Sequence, residues 1–240
     1  MVYVGSKSRL SKYIVPILQE YINKNHITTY IEPFVGGANI IDKINCKNRY
    51  GYDIHQGLIS IYNAVKDGFI PPSTITEEEY NNAKYGLIPE PLKSYIGFQG
   101  SYATKYWGGF ARGFKADGIT PRDIYNERTR NFKEQIPNLL DIHFEVISYS
   151  EIDVENCLIY CDPPYDNTTK YSTGIFDHVA FWDWVRIMSN KNIVIVSEFQ
   201  APKEFKCIWE KERNCSLDKD TGAVKKIERL FIYENIQTVN

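Results

Sequence analysis

Short apolar runs alternate with longer amphipathic stretches along most of the chain. Five runs have strand length and are rich in β-branched or aromatic residues: Tyr30–Phe34, Tyr50–Ile54, Phe144–Tyr149, Cys157–Asp162 and Asn192–Phe199. Residues 8–23 place Leu10, Ile14, Ile17, Leu18 and Tyr21 near helical spacing, and Phe181–Met188 also reads as a helix. Strands alternating with helices predict an α/β fold with a parallel sheet. The C-terminal part differs. Cys207–Glu210 and Ile227–Tyr233 read as two strands joined by a polar turn containing Thr221 and Gly222, so the sheet is expected to end in an antiparallel hairpin.

Residues 57–140 break the alternation. They hold Pro71-Pro72, Pro89, Pro91 and the Gly- and aromatic-rich stretch GFQGSYATKYWGGFARGF (97–114). The expected division is therefore a domain built from 1–56 and 141–240, with a lobe inserted at 57–140. The 240 residues suit this plan, and a 43% hydrophobic content is enough for a core.

Charge changes the picture only locally. The formal net charge is −2, which by itself suggests no polyanionic partner. Yet residues 99–133 carry seven bases (Lys105, Arg112, Lys115, Arg122, Arg128, Arg130, Lys133) against three acids (Asp117, Asp123, Glu127), a balance of +4. The five cysteines (Cys46, Cys157, Cys161, Cys207, Cys215) form no CxxC pairs, which argues against zinc or another metal and for a reducing cytosol. The N-terminus is too polar for a signal peptide, and no apolar run reaches membrane length.

Three features carry candidate chemistry. In YIEPFVGGANI (30–40), an expected strand leads into a turn with Gly36 and Gly37, with a helix expected to follow; glycines there let backbone approach a ligand. Asp53 ends the next expected strand, where an acid can accept hydrogen bonds from ribose hydroxyls. Finally, YCDPPYDN (160–167) ends an apolar run on Asp162 and then forbids its continuation with Pro163 and Pro164. Such a corner offers a carboxylate and a fixed proline carbonyl to an amino group, and Tyr165 offers a flat ring to stack on. Ligands of open α/β sheets sit at the carboxyl ends of the strands, so all three features should converge there.

These residues resemble the Dam-type (D12 class, alpha group) DNA adenine-N6 methyltransferases. DPPY, PFVGG after a strand and YVGSK at residues 3–7 occur in that family's order, with a recognition insert ahead of DPPY. The resemblance implies a Rossmann-like S-adenosylmethionine-dependent methyltransferase sheet and transfer of the methyl of S-adenosyl-L-methionine to N6 of a flipped adenine in double-stranded DNA. It implies that Tyr3, Lys7, Glu32, Phe34, Gly36, Asp53, Tyr149 and Asp162 bind cofactor, with Lys7 near its carboxylate and Asp53 on its ribose. Asp162, Pro163, Pro164 and Tyr165 would form the catalytic corner, and Cys161 would pack rather than act as a nucleophile. Lys105, Arg112, Lys115, Arg122, Arg128 and Arg130 would contact DNA. No protein partner or membrane is implied, and the bacterial cytosol, of a host or a phage-infected cell, is the expected setting. The family's loop often reads PFxGxG, where this chain has Ala38 in place of the last Gly, and the insert lacks the hairpin sequence of GATC readers. Two alternatives stay open on the residues alone: an RNA or protein amino-methyltransferase, and a catalytically inactive methylase-like DNA-binding protein.

Overall fold

The computed structural model describes residues 1–164, 176–214 and 225–233. Seven strands form one sheet: β1 (Thr29–Glu32), β2 (Asn48–Asp53), β3 (His143–Val146), β4 (Leu158–Cys161), β5 (Ile193–Glu198), β6 (Phe205–Asn214) and β7 (Lys225–Tyr233). Their order is β3-β2-β1-β4-β5-β7-β6. The first five are parallel, and β7 runs antiparallel to both β5 and β6. Every expected strand forms, and so does the C-terminal antiparallel pair; its turn, with Thr221 and Gly222, lies outside the described residues.

The apolar runs were readable because a parallel sheet is covered on both faces. All of β4 is buried, as is β5 after its first residue. One face packs on α6 (His178–Ser189) through Ile31, Ile159, Cys161, Val194 and Val196 with Phe181 and Val185. The other packs on α1 (Ser11–Lys24) and α2 (Gln56–Lys66) through Tyr30, Leu158, Tyr160 and Ile195 with Ile14, Leu18, Leu58 and Tyr62. Among the described residues no helix is long and apolar enough to cross a membrane.

The stretch 57–140 adds no strand to the sheet. It supplies most of α2, then α3 (Glu77–Tyr85), α4 (Leu92–Gln99) and α5 (Ile124–Gln135). Its aromatics do not form a separate core. Tyr80, Tyr95, Phe98, Tyr125 and Phe132 are buried in the same cluster as the sheet residues Tyr30 and Tyr160. Gln135 of α5 donates to Ala38 O at 2.9 Å and Asp42 Oδ2 at 2.9 Å, tying the far end of this stretch to the turn after β1.

Candidate active site

The strand order reverses between β1 and β4, which opens a crevice at their carboxyl ends. Strand ends that carry expected site residues border it. Asp162 follows β4, Glu32 ends β1, Asp53 ends β2, and the turn of Gly36 lies between the last two.

That turn departs from expectation. No α-helix follows it; residues 33–40 run through successive turns into a 3₁₀ turn at Ile41–Lys43. Gly36 (φ 44°) and Ala38 (φ 53°) both sit in the left-handed region, which a helix cannot pass through. Ala38 is the position where the methylase pattern has glycine, and it adopts the conformation that glycine would take without cost. No helix N-terminus therefore faces the crevice at this point. The backbone is held instead by side chains. Gly36 N donates to Asp53 Oδ2 (3.2 Å), Tyr62 Oη donates to Gly36 O (2.5 Å), and His55 N donates to Asp53 Oδ1 (3.0 Å). Asp53 thus pins the loops after β1 and β2 together, and its carboxyl is pushed up to about 6 by burial, against the pull of those backbone donors.

Tyr3 lies over the turn: a Cβ on Gly36 would meet its ring at 3.1 Å. At Gly37 a Cβ would fall 2.5 Å from Met1 O and 2.3 Å from Asn39 Nδ2. Across the crevice, Phe34 and Tyr149 pack at 5.5 Å, with Phe181 at 5.8 Å from Phe34 and Trp184 at 5.4 Å from Tyr149.

Asp162 is the partly exposed head of a buried ionic group. Lys7 Nζ donates to Asp162 Oδ1 at 2.7 Å and lies 3.3 Å from Glu228 Oε1 on β7. Lys7 is 3% exposed, the Glu228 side chain is fully buried, and Asp162 keeps 22%. Ser197 Oγ donates to Glu228 Oε1 at 2.9 Å. Glu32 lies beneath, 3% exposed, accepting from Tyr30 Oη at 2.7 Å; burial pushes its carboxyl well above the usual range. Glu198, at the end of β5, is pushed up to about 8 by burial. A cavity of about 410 Å³ opens beside it, with Trp182, Phe199 and Gln200 in its wall, inside the range usual for ligand pockets. Cys161 is buried, and burial with Asp162 and Glu32 nearby pushes its thiol up, so it packs in the core as a neutral thiol. Glu228, Ser197 and Glu198 carried no signal in the sequence. Pro163 is buried and Pro164 half-buried; Tyr165 lies outside the described residues.

The expected DNA-contacting bases have divided fates. Lys105, Lys115 and Arg130 are exposed. Arg112 pairs with Glu77 and Arg122 with Glu127 at the surface. Arg128 is turned inward: its Nη1 donates to Gln99 O (2.7 Å) and Ser101 O (2.8 Å), which makes it a brace for the loop after α4. Of the insert aromatics, Tyr106, Trp107 and Phe110 pack on the core, while Tyr102 is 65% exposed.

Residues 3–90 match the family model described as D12 class N6 adenine-specific DNA methyltransferase. The chain is 24% identical over 225 residues to the Type II methyltransferase M.FokI of Planomicrobium okeanokoites, covering 83% of this chain and 33% of that protein. It is 26% identical over 202 residues to the Type II methyltransferase M.CviBI of Paramecium bursaria Chlorella virus NC1A, covering 74% of this chain and 76% of that one. It thus spans about a third of the first relative and about three quarters of the second. Among solved structures, a Thermoplasma acidophilum protein aligns at TM-score 0.42 and 10% identity over 92% of this chain and 89% of that one. An S-adenosylmethionine-dependent methyltransferase from Clostridium acetobutylicum aligns at TM-score 0.33 and 11% identity, over 93% and 73%.

Proposed function

We propose, from the premise that residues 3–90 belong to the D12 class N6 adenine-specific DNA methyltransferase family, that the chain methylates adenine N6 in double-stranded DNA with S-adenosyl-L-methionine. The observation that carries the reading is Asp162, held by Lys7 at 2.7 Å at the mouth of the strand-order crevice and followed at once by two prolines.

The residues fit the cofactor. The Asp53 carboxylate suits ribose hydroxyls, the bare backbone of Gly36 and Gly37 under Tyr3 admits close approach, and the packed Phe34 and Tyr149 rings offer an apolar surface for an adenine ring to lie on. Glu32 acts from beneath, because its carboxyl is buried on Tyr30. Bound S-adenosylmethionine supplies a methyl group on a sulfonium, and the S–C electron pair returns to sulfur when the methyl leaves.

The chain's own residues do the rest. The adenine N6 lone pair is delocalised into its ring, so the amine is a poor nucleophile. Hydrogen bonds from its two N–H groups to the Asp162 carboxylate and the Pro163 carbonyl localise that pair and aim it. The N6–C bond forms from that pair, and the amine then loses one proton, for which Asp162 is the nearest acceptor. Pro164 fixes the backbone of the corner, and Tyr165 stacks on the base. Alignment of this kind supplies roughly 7–11 kcal/mol in favourable cases. The base leaves the duplex to reach the crevice, at a cost of a few kcal/mol.

The lobe 57–140 reads the DNA, with Lys105, Lys115 and Arg130 on phosphates and Arg112 and Arg122 available once their surface partners yield. The cytosol of a bacterium, uninfected or phage-infected, is where such a substrate is met. Labelled-methyl transfer into duplex DNA, with N6-methyladenine identified in the digest, tests the reading. Asp162→Asn should slow single-turnover transfer at least a hundredfold, and near-normal transfer by that variant would refute it.

A further inference from the structure

Outside the crevice, two lysines from opposite ends of the chain converge on one tyrosine. Lys12 Nζ lies 5.0 Å from the centre of the Tyr13 ring, and Lys211 Nζ of β6 lies 4.0 Å from it. The two ammoniums close to its hydroxyl, Lys211 foremost, hold Tyr13 below the ordinary tyrosine pKa. Among the described residues neither lysine is paired with a carboxylate, and neither is Arg9, exposed just ahead of α1. Like charges gathered without an acid raise the local potential and draw an anion from outside the chain. The platform beneath them is fixed. Tyr13 stacks on Trp209 at 6.3 Å, joining α1 to β6, and Lys12 stays exposed beside that pair.

The sheet places this cluster relative to the crevice. α1 begins soon after Lys7, which holds Asp162 there. Lys211 stands in register with Glu228, which lies 3.3 Å from Lys7. β6 is the edge strand, three positions from β4. At about 4.8 Å per strand, the cluster's strand is about 14 Å from the strand that ends at the Asp162 corner. The lobe begins on the other side: α2, which leads into it, packs on β2 and β3.

We propose that Arg9, Lys12 and Lys211, set on the Tyr13–Trp209 pair, form a second contact with duplex DNA, gripping backbone phosphates across the crevice from α2. The inference rests on the methyltransferase reading above and deepens it. A duplex suits the spacing as well as the charge. At about 3.4 Å per base pair, 14 Å corresponds to about four base pairs along the axis. A duplex with its base turned into the crevice thus carries phosphates over the edge strand. Lysines there meet charge and not base edges, so they hold and orient the duplex without choosing the sequence.

The test measures binding of a long mixed-sequence DNA duplex to the full chain across a salt series, with thermal melting as the fold control. Lys12→Ala with Lys211→Ala should lower the slope of log affinity against log salt by about two, and adding Arg9→Ala should remove about one more. Lys211→Arg, which keeps the charge, should keep the wild-type slope. A cluster that only braces α1 on β6 predicts a lower melting temperature with an unmoved slope, and that result overturns the inference. A slope that falls with single-stranded RNA but not with duplex DNA overturns it as well. Methyl transfer by the wild type keeps the two claims apart. Transfer into DNA with an unmoved slope removes the second contact alone, whereas a wild type that transfers no methyl to DNA removes the functional reading.

Discussion

Asp53 lets binding and stability be set against each other in one residue. Its carboxyl titrates at about 6 in the folded chain against an ordinary 3.8, because it is turned inward among backbone groups. The folded pKa is raised, so between about pH 4 and pH 6 the unfolded chain has already released this proton while the folded chain still holds it. The unfolded state binds fewer protons there, and stability falls as pH rises through that window. About two units at about 1.4 kcal/mol each give about 3 kcal/mol of lost stability by pH 7. This is an upper bound, since the Asp53 side chain keeps some exposed surface.

Asp53→Asn removes the titration. It also turns an amide N–H₂ toward one of two backbone donors, His55 N or Gly36 N, which costs about 1–3 kcal/mol at every pH. The offset between variant and wild type is therefore less informative than its slope. The stability difference, Asn minus Asp, should rise by up to about 3 kcal/mol from pH 4 to pH 7 and then level. Urea unfolding at half-unit pH steps, at constant m-value, measures it. Over the same range the variant should bind S-adenosylmethionine at least tenfold more weakly at pH 7, because a ribose hydroxyl loses an anionic acceptor. Parallel stability curves for the two proteins would refute the burial argument. A rising difference with unchanged cofactor affinity would leave the burial argument intact and remove Asp53 from the cofactor site.

Two further outcomes follow from the geometry. Lys115→Ala with Arg130→Ala should lower the salt slope of DNA binding by about two, whereas Arg128→Ala should leave that slope unchanged and destabilise the fold by about 1–3 kcal/mol, because Gln99 O and Ser101 O lose their shared donor; equal slopes in all three proteins would remove the exposed bases from the interface. Gly37→Ala should lower the melting temperature and weaken cofactor binding together, since its methyl would collide with Met1 O and press on Tyr3, and a protein unchanged in both would show that the turn yields easily.

What the sequence disclosed and what it hid divide along a physical line. The strands were legible because a sheet covered on both faces needs apolar residues at successive positions, as in Leu158–Cys161 and Ile193–Val196. The acids Asp53 and Asp162 were legible as strand ends, because each stands where an apolar run closes. The missing helix after Gly36 was not, since an alanine gives no sign that its φ will be positive, and Ala38 takes that conformation only because its surroundings impose it. The inward turn of Arg128 was hidden for a related reason. Counting charge along a segment says nothing about direction, and one base in a basic stretch can be spent on backbone carbonyls inside it.

Glu228 stayed hidden because nothing near it in the sequence is chemical: it sits in KKIERLFIY, an ordinary strand by composition. Its meaning depends on β7 folding back antiparallel between β5 and β6, which brings it beside a lysine from the start of the chain. Lys7 in turn meets Asp162 across 155 residues. No local segment can assemble this group, since α1, β4, β5 and β7 must all be in place before its charges are paired. A lone buried carboxylate would cost several kcal/mol. Partial unfolding that frees the C-terminal strands would thus take from Lys7 one of the carboxylates beside it. Lys7 is thus held from two places, the end of β4 through Asp162 and β7 through Glu228, and Glu228→Ala should lower the melting temperature, with an unchanged value counting against that brace.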